Sequence, residues 1–127
     1  MKKLFVSVPM KGRTEVEIKE TMEKMKKIAE IYEGEELEMI DSYIEHNPPQ
    51  NSNQGVWYLG ESLKKLSEAD VVVGINDSWS WSGCHIEMQT AGAYGIKTHI
   101  VSAEDVIPNY AELIRKNLHV CEPKMSM

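Results

Sequence analysis

The sequence is short of cysteine, of basic charge and of long apolar runs, and each shortage narrows what the chain can be. Its two cysteines, Cys84 and Cys121, form no disulfide framework and do not stand at the spacing of metal ligands. Reduced thiols in a cytoplasmic setting are the simplest reading, and no metal or redox cofactor is expected. Lys and Arg number 14 against 20 Asp and Glu, a net charge of -6. A protein that grips polymeric nucleic acid needs a basic face to displace counterions, so no such partner is expected, although a local cluster can still hold a small anion. No apolar run approaches the roughly 18 residues that suggest a transmembrane helix. Only a short apolar stretch precedes Lys11, too little for a secretory leader, and no membrane partner is expected. What remains is an ordinary folding composition, 42% apolar and 27% charged over 127 residues, which suits a single domain spanning 1–127.

Strand and helix patterns alternate along the chain. Leu4–Val8 is a short β-rich run stopped by Pro9. Thr14-Glu15-Val16-Glu17 has the form of a capping box, and Ile18, Met22, Met25, Ile28, Ala29 and Tyr32 follow at helical spacing as far as Gly34. Leu37–Tyr43 reads as a second strand. The polar, proline-containing stretch His46–Gly55 is a loop, after which Val56, Leu59, Leu63 and Leu66 mark the buried stripe of a second helix. Asp70–Ile75 is a continuous apolar run of the kind found in a central parallel strand. A loop over Asn76–Ser82, a helix over about Gly83–Tyr94 ending at Gly95, and a strand over Thr98–Val101 follow. A last helical region around Pro108–Lys116 precedes Leu118–Cys121, a candidate fifth strand. Such alternation predicts an α/β fold, a Rossmann-like or flavodoxin-like three-layer sandwich around a five-stranded parallel sheet. With strand order 2-1-3-4-5, a ligand would bind where the order reverses, between the loops Pro9–Arg13 and Asn76–Gly83.

Two clusters stand at those loops. In Pro9-Met10-Lys11-Gly12-Arg13-Thr14, a strand end meets a glycine, two cations and a helix N-terminus, a setting that favours a phosphate or carboxylate; an ordinary exposed turn with a capping Thr is the alternative. The segment has neither the P-loop nor the dinucleotide fingerprint. In Trp79–Glu87, Ser82 or a neighbour is placed to cap the third helix, and Gly83 permits close approach at its first turn. Cys84, Glu87, Ala91 and Tyr94 share one helical face. Glu87 then lies one turn into a helix whose start points at the crevice, where the dipole favours its ionised form, as a nucleophile requires; a first-turn Glu that merely complements the dipole is the alternative. Cys84 reads as a small buried residue. Asn76 and Asp77 end the strongest strand, a common place for ligand contacts, and Trp79 and Trp81 could stack on a planar base.

Taken together, Phe5-Val6-Ser7-Val8-Pro9-Met10-Lys11-Gly12-Arg13, Leu63–Gly74 (LKKLSEADVVVG), Gly83-Cys84-His85-Ile86-Glu87 and Ala91–Lys97 (AGAYGIK) resemble the nucleoside 2-deoxyribosyltransferase-like superfamily. The likeness covers nearly the whole chain and is greatest to a small, largely phage- and bacteria-associated branch of unknown function with a GCxxE motif. It implies N-glycosidic chemistry on a nucleoside or nucleoside 5′-monophosphate, in which the glutamate matched by Glu87 attacks C1′ and forms a covalent glycosyl-enzyme resolved by water or a second base. The first loop would hold a 5′-phosphate, here with Lys11, Arg13 and the Gly12 backbone, and Ser7, Pro9 and Met10 are further substrate-binding candidates. Asn76, Asp77, Trp79 and Trp81 would line the base side, with Gly83 a further substrate contact, and Asp41 is a weaker ribose candidate. The family also implies a homodimer or larger assembly, with Asn109 or Tyr110 as residues that could reach across. Two positions depart from its pattern. Phe5 stands where active members carry a tyrosine that hydrogen-bonds the glutamate, and Ser62 stands where they carry an aspartate, with Glu61 beside it. A general acid contributes typically 10²–10⁴ in rate, so the expectation divides: a slow enzyme, one whose acid is Glu61 or Asp77, or a non-catalytic nucleotide binder. A protein-contact module using the Trp-rich loop is a further alternative.

Overall fold

The computed structural model describes residues 1–125. Its elements are β1 (Lys2–Val6), α1 (Glu15–Glu33), β2 (Leu37–Met39), α2 (Gln54–Leu66), β3 (Val71–Ile75), a 3₁₀ turn (Ser78–Ser80), α3 (Ser82–Ala93), β4 (Lys97–Val101), α4 (Ala103–Val106) and α5 (Tyr110–Met125). The sheet is parallel throughout in the order β2-β1-β3-β4, so the order reverses between β1 and β3, where the sequence placed the crevice. The architecture is α/β and compatible with a Rossmann-like fold.

Among the described residues the sheet has four strands, not five. Leu118–Cys121, read as a fifth strand, belongs to α5. Tyr110, Leu113, Ile114, Leu118 and Cys121 recur at helical spacing, and a short apolar run cannot by itself choose between strand and helix.

Alternation along the strands divides the core. Leu4, Val6, Val71, Val73 and Ile75 face α1 and α4 with Met22, Met25, Ala29 and Val106. Phe5 and Val72 face the other way, with Leu66 and Ala91. β3 is buried along its whole length, as a continuous apolar run predicts for a central strand. Gly74 in that strand has a packing role: a Cβ there would collide with the Met88 side chain of α3, so the glycine lets the helix lie close on the sheet.

The capping box is formed as read. Thr14 Oγ1 accepts from the Glu17 amide at 3.2 Å and Glu17 Oε1 accepts from the Thr14 amide at 2.8 Å, and α1 ends at Gly34 in the left-handed conformation. Three apolar assignments do not hold. Val56 is exposed because α2 buries its stripe only toward its C-terminal end, at Leu63 and Leu66. Tyr94 caps the end of α3 in solvent, and Tyr32 lies at the surface with its ring stacked on His99.

Candidate active site

At the reversal point lies a cavity of about 560 Å³. Its walls come from the end of β1 and the following loop (Phe5, Val8, Pro9, Met10, Lys11), one face of α2 (Gly55, Tyr58, Leu59, Ser62, Lys65) and the start of α3 (Ser82, Gly83, Cys84, Glu87). Trp81 forms part of the wall, and Ile40, Ser42 and Ile44 come from the segment after β2. Glu87 is the single carboxylate among the described lining residues.

The sequence places Glu87 by helical period: α3 begins at Ser82, so Glu87 sits between its first and second turns, on the face that carries buried Cys84 and Ala91. Ser82 lies inside the helix rather than capping it; Trp81 holds the N-cap position, with no side-chain bond to the helix. Glu87 Oε1 accepts a 2.8 Å hydrogen bond from the hydroxyl of fully buried Ser7. Burial pushes the Glu87 carboxyl up to about 7, against the Ser7 hydroxyl, which pulls it down. This corrects the expectation of a fully ionised carboxylate: desolvation outweighs the favourable position near the helix start. Near neutral pH the group divides between its two forms. Burial likewise pushes the Cys84 thiol up to about 12, so Cys84 is a packed neutral thiol rather than a nucleophile.

The first loop divides. Pro9, Met10 and Lys11 line the Glu87 cavity. Gly12, at φ +78, turns the chain away, and Gly12 and Arg13 line a separate cavity of about 310 Å³ between α1 and α4–α5. The Arg13 guanidinium ties the loop to α1, donating to the Pro9 carbonyl at 2.9 Å, the Glu17 carbonyl at 3.2 Å and Thr21 Oγ1 at 2.5 Å. It therefore has few donors left for a phosphate and does not face Glu87.

Lys65 joins Lys11 on the Glu87 cavity, and neither lysine is ion-paired among the described residues. The sequence carries a signal for Lys65: the helical period running through Ser62 also passes through Tyr58, Leu59 and Lys65.

The β3–α3 loop is held by its own network. Asn76 Oδ1 accepts from the Ala103 amide at 3.0 Å, holding the start of α4. Asp77 accepts from Ser80 Oγ at 3.0 and 2.9 Å and from the Tyr110 hydroxyl at 2.5 Å. Tyr110 in turn accepts from Trp81 Nε1 at 3.0 Å. Burial first, then the Asp77 acceptor, raises the Tyr110 phenol above its usual value. Asn76 and Asp77 thus build the loop and do not line the cavity, and Tyr110 is engaged within its own chain. Trp79 is 78% exposed, its ring against His85 at a centroid distance of 3.8 Å, outside the cavity.

Glu61 pairs with Lys64 at 2.7 Å and does not line the cavity, whereas Ser62 does. Asp41 is exposed and accepts from the Tyr43 amide at 2.9 Å in a local turn. Among the described residues no cluster of His, Cys, Asp or Glu could hold a metal ion, and no helix is long and apolar enough to cross a membrane. No known protein family, curated protein or solved structure matches the chain.

Proposed function

We propose that the protein is an N-glycosidase or 2-deoxyribosyltransferase acting on a nucleoside or nucleoside 5′-monophosphate, with Glu87 as its nucleophile. The observation that carries this reading is the single carboxylate, bonded to a buried hydroxyl, on a largely apolar cavity at the sheet's reversal point. Ligands of open parallel sheets bind at such points, and the cavity is of the size of small-molecule sites.

In the proposed reaction the ionised Glu87 forms a bond to C1′ while the C1′–N bond breaks. The electron pair leaves with the base, which takes a proton from water. The glycosyl ester is then opened by water, or by a second base, and the carboxylate is regenerated. Lys11 and Lys65 supply positive charge for an anionic substrate, and Tyr58 and Trp81 supply flat apolar surface for a base.

A second reading is favoured by a specific observation. Neither Glu61 nor Asp77 lines the cavity, so neither replaces the acid absent at Ser62, and a non-catalytic nucleotide-binding protein needs none. A homodimer or larger assembly belongs to the same proposal. The composition of α3 supports it: the helix SGCHIEMQTAGA carries no Lys, Arg or Asp and only Glu87 as acid, and Ile86 of this helix is 38% and Ile100 of β4 51% exposed. Light scattering that returns the mass of a monomer would count against that part.

The deciding experiment incubates the protein with ribo- and deoxyribonucleosides, their 5′-monophosphates and NAD, and measures released base by chromatography, with Glu87→Ala as control. Base release lost in the variant establishes the glycosidase. No release at high enzyme and long times sinks it for these substrates; binding that persists in Glu87→Ala then identifies the binder.

A further inference from the structure

Ser7 is a polar residue at 0% exposure. Its amide donates to the Val73 carbonyl at 2.9 Å, so the sheet fixes its backbone just beyond β1. Strand alternation puts Ser7 on the same face as Phe5, two residues earlier, toward α3. From that fixed point its hydroxyl spends its one hydrogen on Glu87 Oε1 at 2.8 Å. Among the described residues Glu87 Oε2 receives no hydrogen bond, and no buried side-chain oxygen or nitrogen lacks a partner, so Oε2 is reached from the cavity. The contact makes two otherwise equivalent oxygens different.

We propose that Ser7 is the positioning residue of Glu87: its hydroxyl pins Oε1 and thereby presents Oε2 as the oxygen that meets the anomeric carbon. This rests on the reading of Glu87 as nucleophile. The terminal torsion of a glutamate is broad and roughly two-fold, so an unanchored carboxylate would sample many orientations. One fixed donor selects a plane, and small misplacements of a reacting group cost rate steeply. In the step itself the Oε2–C1′ bond forms, the C1′–N bond breaks, the electron pair goes to the base nitrogen, and that nitrogen takes a proton from water. Ser7 keeps its own proton throughout. Its hydrogen bond also favours the ionised form, which is the form that attacks. Phe5 has no hydroxyl to offer, and Ser7 supplies one from the next position on the same strand face.

The other titratable groups that face the cavity are Cys84 on α3, Tyr58 and Lys65 on α2 and Lys11 of the first loop. The test therefore follows the Glu87 carboxyl directly, by ¹³C NMR titration of glutamate-labelled protein, with Glu87→Gln identifying the resonance. Ser7→Ala and Ser7→Thr are compared with the parent, and base release is measured in parallel. Loss of one hydrogen bond to a charged group is worth about one pH unit, so the Glu87 midpoint is expected to rise by about that much in Ser7→Ala. Base release from the same variant should fall roughly tenfold or more in kcat, with KM little changed. Ser7→Thr, which keeps the hydroxyl, should restore both. A Glu87 titration in Ser7→Ala that superimposes on the parent overturns the proposal, since a serine that only packs would leave it unmoved. A shifted titration with no base release from the parent or any variant upholds the hold of Ser7 on Glu87 and overturns the glycosidase reading instead.

Discussion

Two enclosed glutamates sit at opposite ends of the same sheet and are treated in opposite ways. At the amino end, the Glu33 side chain is 1% exposed and is met by two cations, Lys97 Nζ at 2.9 Å and Lys2 Nζ at 3.3 Å, and by the His99 ring at 2.5 Å from Nε2. Hydrogen bonds from His99 and Lys97 hold its carboxyl down at about 2. At the carboxyl end, Glu87 is given one neutral hydroxyl and no ion pair among the described residues, and burial lifts it to about 7. An enclosed carboxylate that serves the fold is neutralised by its partners. One left without a cation beside an open cavity is costly to the fold, and such perturbed groups concentrate at functional sites. The contrast separates a structural acid from the proposed nucleophile better than burial does.

The largest effect that breaks the comparison is on activity. Glu87→Gln is expected to lower base release by at least about a thousandfold, because the covalent route disappears, while Glu33→Gln should leave it within a few-fold if the protein stays folded. In the parent, kcat/KM should rise with pH through about 7, as Glu87 ionises; a flat profile between pH 5 and 8 would remove Glu87 from the role.

Stability should move the other way. The folded value of Glu87 lies above the ordinary 4.5, so the folded state holds the proton more tightly than the unfolded chain. The cost of this residue is absent below about pH 4.5, grows as pH rises toward 7 and is constant above it. Glu87→Gln is therefore expected to stabilise the protein by about 3 kcal/mol at pH 8 and little at pH 4, read by urea denaturation. Glu33 has the reverse sign. Its folded value lies below the ordinary one, so its contribution is fully present above about 4.5 and is lost as pH falls toward 2. Glu33→Gln should lower the melting temperature at pH 6 by several degrees and narrow the gap to the parent near pH 2. Equal melting curves at pH 6 would mean that the cation cluster contributes nothing.

Part of this contrast was legible in the sequence. Period and a capping box placed α1, period alone placed α3, the apolar run Val71–Ile75 located the central strand, and chain order predicted the reversal between β1 and β3. The position of Glu87 on the crevice was legible because a helix start there fixes where its next turn points. Its protonation was misjudged, because the dipole is visible in local sequence while burial depends on residues as distant as Ser7. Glu33 was unreadable for the same reason: its partners Lys2, Lys97 and His99 lie on strands far away in the chain. Arg13 looked free for a ligand because a sequence does not show that Pro9, Glu17 and Thr21 absorb its donors. Leu118–Cys121 failed on length, being too short to distinguish a strand from a continuing helix.

A third carboxylate gives the smallest and sharpest test. Asp77 stands near the cavity in sequence, yet its oxygens are occupied by the Ser80 and Tyr110 hydroxyls, and Tyr110 accepts from the Trp81 indole, which is 6% exposed. Asp77→Asn keeps an oxygen that can accept from Tyr110, so the chain of bonds to Trp81 persists. The cost to stability should be about 1 kcal/mol, the scale of weakening one hydrogen bond, and base release should stay within a few-fold of the parent. If Asp77→Asn instead abolished base release while its melting curve stayed close to the parent's, Asp77 would be a proton donor to the leaving base. The carboxyl end would then hold two chemical acids rather than one, and the contrast with Glu33 would have to be drawn between a pair and a single residue.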